Sequence, residues 1–286
     1  MVNKMYARCG ELRVSIGDIV ISVAGDNMDS SRIDNAYRAF ITESIPEVRL
    51  KLHYQRGICQ TKSRGERVFD SSGGWSMFKR NGSYVIKTTS GEAVLDSGFQ
   101  SGDIYLEEEE EQAGLFLSYP MDELLMINLL AGQRGVMLHA CGVKYRGKGI
   151  VFAGISGAGK STTANLWKTK KDAVVLSDDR VIVRKINSQF YLYGTPWHGD
   201  ALGFSAQRAP LEMIFFLKKA INNSTEVIAP VDAASRLIVH SFAPLWNKIG
   251  TEFTLDFCAE LFQKVPAYEL SFLPDESAVD FVRSKL

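Results

Sequence analysis

The stretch Gly154-Ile155-Ser156-Gly157-Ala158-Gly159-Lys160-Ser161-Thr162 decides how the rest of the chain is read. It fits the phosphate-loop template G-x-x-x-x-G-K-[ST]. Ahead of it lies a continuous apolar run, Ile150-Val151-Phe152-Ala153, the pattern of a strand buried on both faces. Behind it, Lys160 to Trp167 suits a helix. Glycines let a backbone curl into positive-φ conformations, so that successive N–H groups can point at phosphate oxygens, and a helix N-terminus adds partial positive charge. In such a loop Lys160 reaches the β- and γ-phosphates and the Ser161 hydroxyl takes Mg²⁺. The expected ligand, held by Gly154 through Thr162, is ATP or another nucleoside tri- or diphosphate. A plain glycine turn is the alternative.

Working outward, 286 residues allow one large domain or two smaller ones. The chain is 45% hydrophobic and 23% charged, with 33 Lys and Arg against 33 Asp and Glu, so no global basic field argues for nucleic acid or an acidic membrane. No apolar run approaches the roughly 18 residues of a spanning helix, and Met1 to Asp18 lacks the apolar core of a signal peptide. Cys9, Cys59, Cys141 and Cys258 are scattered without a CxxC pair, which suits free thiols in a reducing cytoplasm.

Alternation at Leu12-Val14-Ile16 and Val48-Leu50-Leu52-Tyr54 predicts half-buried strands, with a serine-capped helix between them over Ser30 to Ile41. Trp75 to Lys87 reads as a hairpin turning at Asn81-Gly82. The acidic run Glu107 to Glu111 reads as a solvated turn. These features predict a β-rich domain over residues 1–118 and a nucleotide domain over 119–286. The second opens with a helix over Met121 to Ala131 and a strand from Val136 to Tyr145. After the loop, Ala173 to Leu176 is a buried strand ending in Ser177-Asp178-Asp179, where carboxylates converge on a phosphate site as metal ligand or base. A hairpin over Val181 to Tyr193 leads into Gly194 to Asp200, a loop that offers His198 and Asp200 for substrate, with Trp197 packed inward as the bland alternative. Met213 to Leu217 and Tyr268 to Phe272 are further strands. Helices are expected over Val231 to Phe242, Thr251 to Val265 and Asp275 to Arg283, and Arg236 on the first is a substrate candidate.

The segment LHACGVKYRGKGIVFAGISGAGKSTT, followed by LSDDRV, resembles the catalytic core of the HPr kinase/phosphorylase family and is similar to the related phosphoenolpyruvate carboxykinase fold. The likeness rests on His139 fifteen residues before Gly154, on the loop form G-x-S-G-x-G-K-S, and on the pair Asp178-Asp179. It covers roughly residues 136–186, and the C-terminal half as a whole is similar to HPr-kinase-related bacterial proteins that accompany peptide-modification genes. The resemblance implies an α/β fold with a phosphate-loop C-terminal domain behind a β-rich α+β N-terminal domain. It implies that Lys160 neutralises phosphate charge, that Ser161 holds Mg²⁺, and that Asp179 is the base. Asp178 would pair with His139 or join Ser161 on the metal. It implies assembly into homo-oligomers as well.

Departures from the family pattern leave the acceptor open. The family's downstream acidic magnesium ligand falls by count on Gly203, with Asp200 and Glu212 as the available substitutes, and a further basic residue falls on Pro244. The expected activity is transfer of the γ-phosphoryl of ATP to a hydroxyl on a peptide, protein or small molecule. Its rivals are a nucleotide-binding regulatory module of a peptide-modification system and a simple ATPase or GTPase.

Overall fold

The computed structural model describes residues 10–25, 33–55, 65–107 and 119–286. It is a mixed α/β, sheet-rich chain in two compact units, 1–132 and 133–286. Among the described residues no helix is long and apolar enough to cross a membrane.

The first unit is built on one eight-stranded sheet. Its strands are β1 (Glu11–Ile16), β2 (Ile19–Gly25), β3 (Val48–Gln55), β4 (Glu66–Asp70), β5 (Trp75–Arg80), β6 (Ser83–Thr88), β7 (Gly91–Asp96) and β8 (Ser101–Glu107), in the order β1-β2-β3-β8-β7-β6-β5-β4. Alternation does what the sequence implies, burying Leu12, Val14 and Ile16 on β1 and Val48, Leu50 and Leu52 on β3. Asn81 and Gly82 both take positive φ, and the hairpin pairs Arg80 with Ser83 across them. The helix between β2 and β3 is shorter than expected: α1 spans Asn35–Arg38, capped by the carboxylate of Asp34. It stops because Phe40 and Ile41 leave it to pair with β1, the Phe40 carbonyl accepting from Ser15 N at 2.8 Å. The expected caps Ser30 and Ser31, the acidic residues Glu108 to Glu111, and Cys9 and Cys59 lie outside the described residues.

Helix α2 (Met121–Ala131) was placed by sequence at the head of the second domain. The structural division instead falls after Gly132, so α2 belongs to the first unit, where Asp122 accepts the phenolic proton of Tyr37.

The second unit comprises β9 (Val136–Tyr145), β10 (Lys148–Ala153), α3 (Lys160–Lys168), β11 (Ala173–Ser177), β12 (Arg180–Ile186), β13 (Gln189–Tyr193), β14 (Arg208–Lys219), β15 (Ser224–Val227), α4 (Pro230–Ile238), α5 (Lys248–Leu261), β16 (Ala267–Phe272) and α6 (Glu276–Arg283). Strands β10, β14 and β16 run parallel, with Ala153 opposite Phe216 and Lys219 opposite Phe272. Both faces are covered. Val151, Ala153, Ile214 and Phe216 pack with Leu237 of α4 and Phe257 of α5. Ile150, Phe152 and Phe215 pack with Trp167 of α3 and Val279 of α6. That two-sided burial is why β10 reads as an unbroken apolar run.

Helix α4 ends at Ile238, short of the expected Phe242, because residues 240–242 turn back onto β9. His139 N donates to His240 O at 2.7 Å, and Phe242 N donates to Met137 O at 2.9 Å. Asn247 caps α5, and Asp275 caps α6 as the sequence implies.

Candidate functional site

Strand β10 is buried from Gly149 to Ala153 and then breaks into the glycine loop. Gly157 takes φ +79° and Gly159 φ +114°, conformations closed to most side chains. A Cβ on Gly159 would stand 2.6 Å from Cζ of Phe272, so this position excludes a side chain by space as well. Gly159 begins α3 with no side-chain cap, which leaves the first-turn amides of the helix for a ligand or solvent. Lys160 is 8% exposed and folds back over the loop, its Nζ donating to Gly154 O at 2.8 Å and to Ile155 O at 3.3 Å. Burial pulls its pKa below the ordinary lysine value, and the charge of Asp179 partly opposes that pull.

Strands β11 and β12 form one interrupted run along β9. Ala173 sits opposite Tyr145 at one end and Val183 opposite Val136 at the other. The register slips between Val175 and Ser177 and then holds from Ser177 to Arg180, and Asp178-Asp179 is the gap between the two strands. The buried hydroxyl of Ser177 shapes it, accepting from the amides of Asp179 (3.2 Å) and Arg180 (3.0 Å) and donating to Trp197 O (2.7 Å). The two carboxylates then part company. Asp178, 2% exposed, turns inward and accepts three backbone N–H bonds, from Gly199 and Gly203 at 3.0 Å and from Ala201 at 2.9 Å. It anchors the 199–203 loop.

Asp179 meets the two groups that flank it on β9 and β12. Its Oδ1 lies 3.2 Å from His139 Nε2, and its Oδ2 is contacted by Arg180 Nη1. The His139 hydrogen bond, more than the charges of Arg180 and Lys160, holds its carboxyl below the usual range against the opposing effect of burial. Thus His139 pairs with Asp179 and not with Asp178, because adjacent side chains along this edge point to opposite sides and Asp178 turns to the 199–203 loop. Phe242, carried in by residues 240–242, sits against both partners of Asp179: its ring centroid is 5.5 Å from Arg180 Cζ and 6.5 Å from the His139 ring. His240 beside it is half-buried, and burial followed by the charge of Lys160 lowers its pKa.

These groups share a cleft of about 430 Å³. The structure brings His139, Ser156, Gly157, Gly159, Lys160, Ser161, Thr162, Asp178, Asp179 and Asp200 to its lining. It does not bring His198, whose ring packs near Phe204 at 5.6 Å, or Arg236, which pairs with Glu269 at 3.0 Å. Glu212 lies towards the opposite end of β14, near Gly149, and is not a lining residue. Trp197 is packed inward, so the first half of its loop is structural. The lining also holds Lys219, which was not singled out in the sequence. The signal was present: Lys219 ends a buried apolar strand, the same logic that picked out Asp178-Asp179.

Among the described residues no three His, Cys, Asp or Glu side chains cluster as a metal site. With three amides on its carboxylate, Asp178 has little capacity left to ligate Mg²⁺. The residues fit a magnesium ion held mainly by a nucleotide's own phosphates, as such ions commonly are, with Ser161 and one carboxylate of the cleft completing its shell. Chemically, the arrangement offers amide donors and a lysine for phosphates beside a carboxylate kept anionic.

The family model described as SynChlorMet cassette protein ScmC matches residues 106–272, and the chain belongs to that family. No curated protein matches it. Among solved structures, the Hpr(Ser) kinase/phosphatase from Coxiella burnetii is similar over 52% of this chain and 91% of its own, at 14% identity and a TM-score of 0.31. Likeness at that level fixes neither fold nor activity.

Proposed function

We propose that this ScmC-family protein is an ATP-dependent phosphotransferase that moves the γ-phosphoryl group to a hydroxyl acceptor. The observation that carries the reading is that Lys160, at the end of the glycine loop, and Asp179, between β11 and β12, line one cleft. In this reading residues 154–162 bind the phosphates through loop and first-turn amides, and Lys160 exchanges its two carbonyl partners for phosphate oxygens. Bound Mg·ATP supplies the phosphoryl group and further charge neutralisation. Asp179 orients the acceptor hydroxyl and takes its proton on a carboxylate oxygen. His139, as the Nε2–H tautomer, fixes the carboxylate and keeps it ionised. A weakly basic carboxylate is adequate, because phosphoryl transfer depends more on positioning and electrostatics than on early proton removal. The loop, His139 and Asp178-Asp179 spacings set out above agree with this assignment.

One observation favours a second reading, a nucleotide-dependent regulatory component of its cassette with little turnover. Both oxygens of Asp179 already have partners, His139 and Arg180. Transfer requires one of these contacts to yield to the acceptor.

The test is phosphoryl transfer from Mg·ATP by the full chain, with serine-, threonine- and tyrosine-containing peptides, small alcohols and extract fractions as acceptors. Acceptor-dependent turnover is expected. Asp179→Asn should remove it while leaving nucleotide affinity within a few-fold, whereas Lys160→Ala should weaken both. Nucleotide binding without turnover in any fraction would support the regulatory reading. Turnover undiminished in Asp179→Asn would overturn the role of Asp179 as base.

A further inference from the structure

The cleft holds six titratable side chains: His139, Lys160, Asp178, Asp179, Asp200 and Lys219. Four already have partners. Asp178 has three amides, Asp179 has His139 and Arg180, and Lys160 has two loop carbonyls. Among the described residues, Lys219 and Asp200 alone of the six make no hydrogen bond or ion pair. A second hollow, about 460 Å³, shows how differently a surface without such a group is arranged. Each cation in its lining is paired: Arg146 with Asp172, Lys148 with Leu286 O, and Arg283 with Tyr145 and Asp280.

Lys219 ends the central strand of the parallel trio, and ligands of open parallel sheets gather at the carboxyl ends of their strands. It lies three residues beyond Phe216, the partner of Ala153, which brings it level with the start of the glycine loop. Its strand partner is Phe272, whose ring abuts Gly159. Strand alternation sends its neighbour Lys218 to the other face, where that side chain pairs with Glu269 at 3.0 Å. Lys219 is thereby left on the face of Leu217 and α3, in the cleft with Ser156 and Gly157. Lys160 is sheltered and tied to its loop, and Lys219 is the exposed lysine of the same cleft that makes no ion pair.

We propose that Lys219 is a second phosphate-binding cation of the cleft, gripping the β- or γ-phosphate of the donor and selecting nucleoside di- and triphosphates over monophosphates. This rests on the nucleotide reading above. Even with its magnesium a di- or triphosphate keeps negative charge, and a lysine engaged in no ion pair meets that charge without breaking one.

Calorimetric titration of the full chain with Mg·ATP, Mg·ADP and AMP, at low and high salt, tests it. Lys219→Gln should weaken ATP and ADP binding about tenfold, the scale of one lost charge-assisted hydrogen bond. It should also flatten the salt dependence and leave AMP unchanged. Lys219→Arg should recover most of the affinity. If Lys219→Gln binds ATP within about twofold of wild type, the scale of an unimportant surface charge, while Lys160→Ala binds much more weakly, this inference fails and the nucleotide reading stands. An unchanged nucleotide affinity with a raised acceptor KM would assign Lys219 to the acceptor instead. Should wild type bind none of the three, both the inference and the nucleotide reading fall.

Discussion

Replacing Asp178 by asparagine separates two roles that the sequence left joined. In the structure its carboxylate accepts from the amides of Gly199, Ala201 and Gly203 at 2.9 to 3.0 Å, and the side chain is 2% exposed. Hydrogen bonds to a charged group contribute about 1.5–3 kcal/mol each. Asparagine oriented to keep the oxygen that serves Gly199 and Gly203 loses the bond from Ala201 and sets its own NH₂ against that amide. The opposite orientation loses two bonds. The expected cost is therefore about 2–4 kcal/mol, borne first by the loop and large beside a typical total stability of roughly 5–15 kcal/mol. Hydrogen–deuterium exchange read by mass spectrometry on peptides spanning residues 199–203, in magnesium-free buffer, measures it directly. Exchange there should rise by at least about tenfold in the variant, with peptides from β1–β8 unchanged. If the loop exchanged at the wild-type rate and the variant lost only magnesium-dependent nucleotide binding, the anchoring argument would be refuted and Asp178 would return to the metal.

The remaining predictions concern the loop and the Asp179 pair. Gly159→Ala meets both a positive φ and the Phe272 ring and should cost about 1–3 kcal/mol, whereas Gly157→Ala, whose Cβ would have nothing within 4 Å, should cost about 1 kcal/mol. Thermal melts of the two variants should keep that order, and equal losses would contradict the packing at Phe272. For the pair, Asp179 has a folded pKa below its unfolded value, so its ionised form stabilises the fold above the unfolded carboxylate value. That contribution disappears as pH falls through the lower, folded value. His139→Asn removes the leading cause of the shift and should lower stability at neutral pH, the gap from wild type closing in acid once Asp179 is protonated in both. Urea unfolding as pH falls through the carboxylate range checks it, and a gap that widened within that range would show the sign to be wrong.

What the sequence disclosed depended on whether a residue's role is local. Asn81-Gly82 needs positive φ, Asp275 caps its own helix, and β10 must be apolar because both its faces are covered; each is visible within a few positions. The partition of labour between Asp178 and Asp179 is not. Adjacent carboxylates look alike in a sequence, and only the interruption opposite β9 turns one to backbone amides more than twenty residues away and the other to His139. Arg180 and Phe242 were missed for the same reason. Residues 231–242 carry helical periodicity throughout, and nothing local reports that the last of them is drawn off by Met137. Lys219 was legible in principle, but a lysine after an apolar strand is so ordinary that only its lack of a partner gives it weight.

The shared edge that β11 and β12 form along β9 bears on how this chain can vary in length. Val181 and Val183 face the core that includes Leu237 and Phe257, while Arg180 and Arg184 lie on the alternate positions. Deleting one residue between Ser177 and Arg180 would move every following side chain to the opposite face, offering arginines to that core and breaking the pairing of a carboxylate with His139. Insertions and deletions should therefore be filtered out here and tolerated at the Asn187-Ser188 turn, where φ values of +47° and +67° close a hairpin without glycine. Length variation among natural relatives would be barred from the very segment that ties the cleft carboxylates to the sheet.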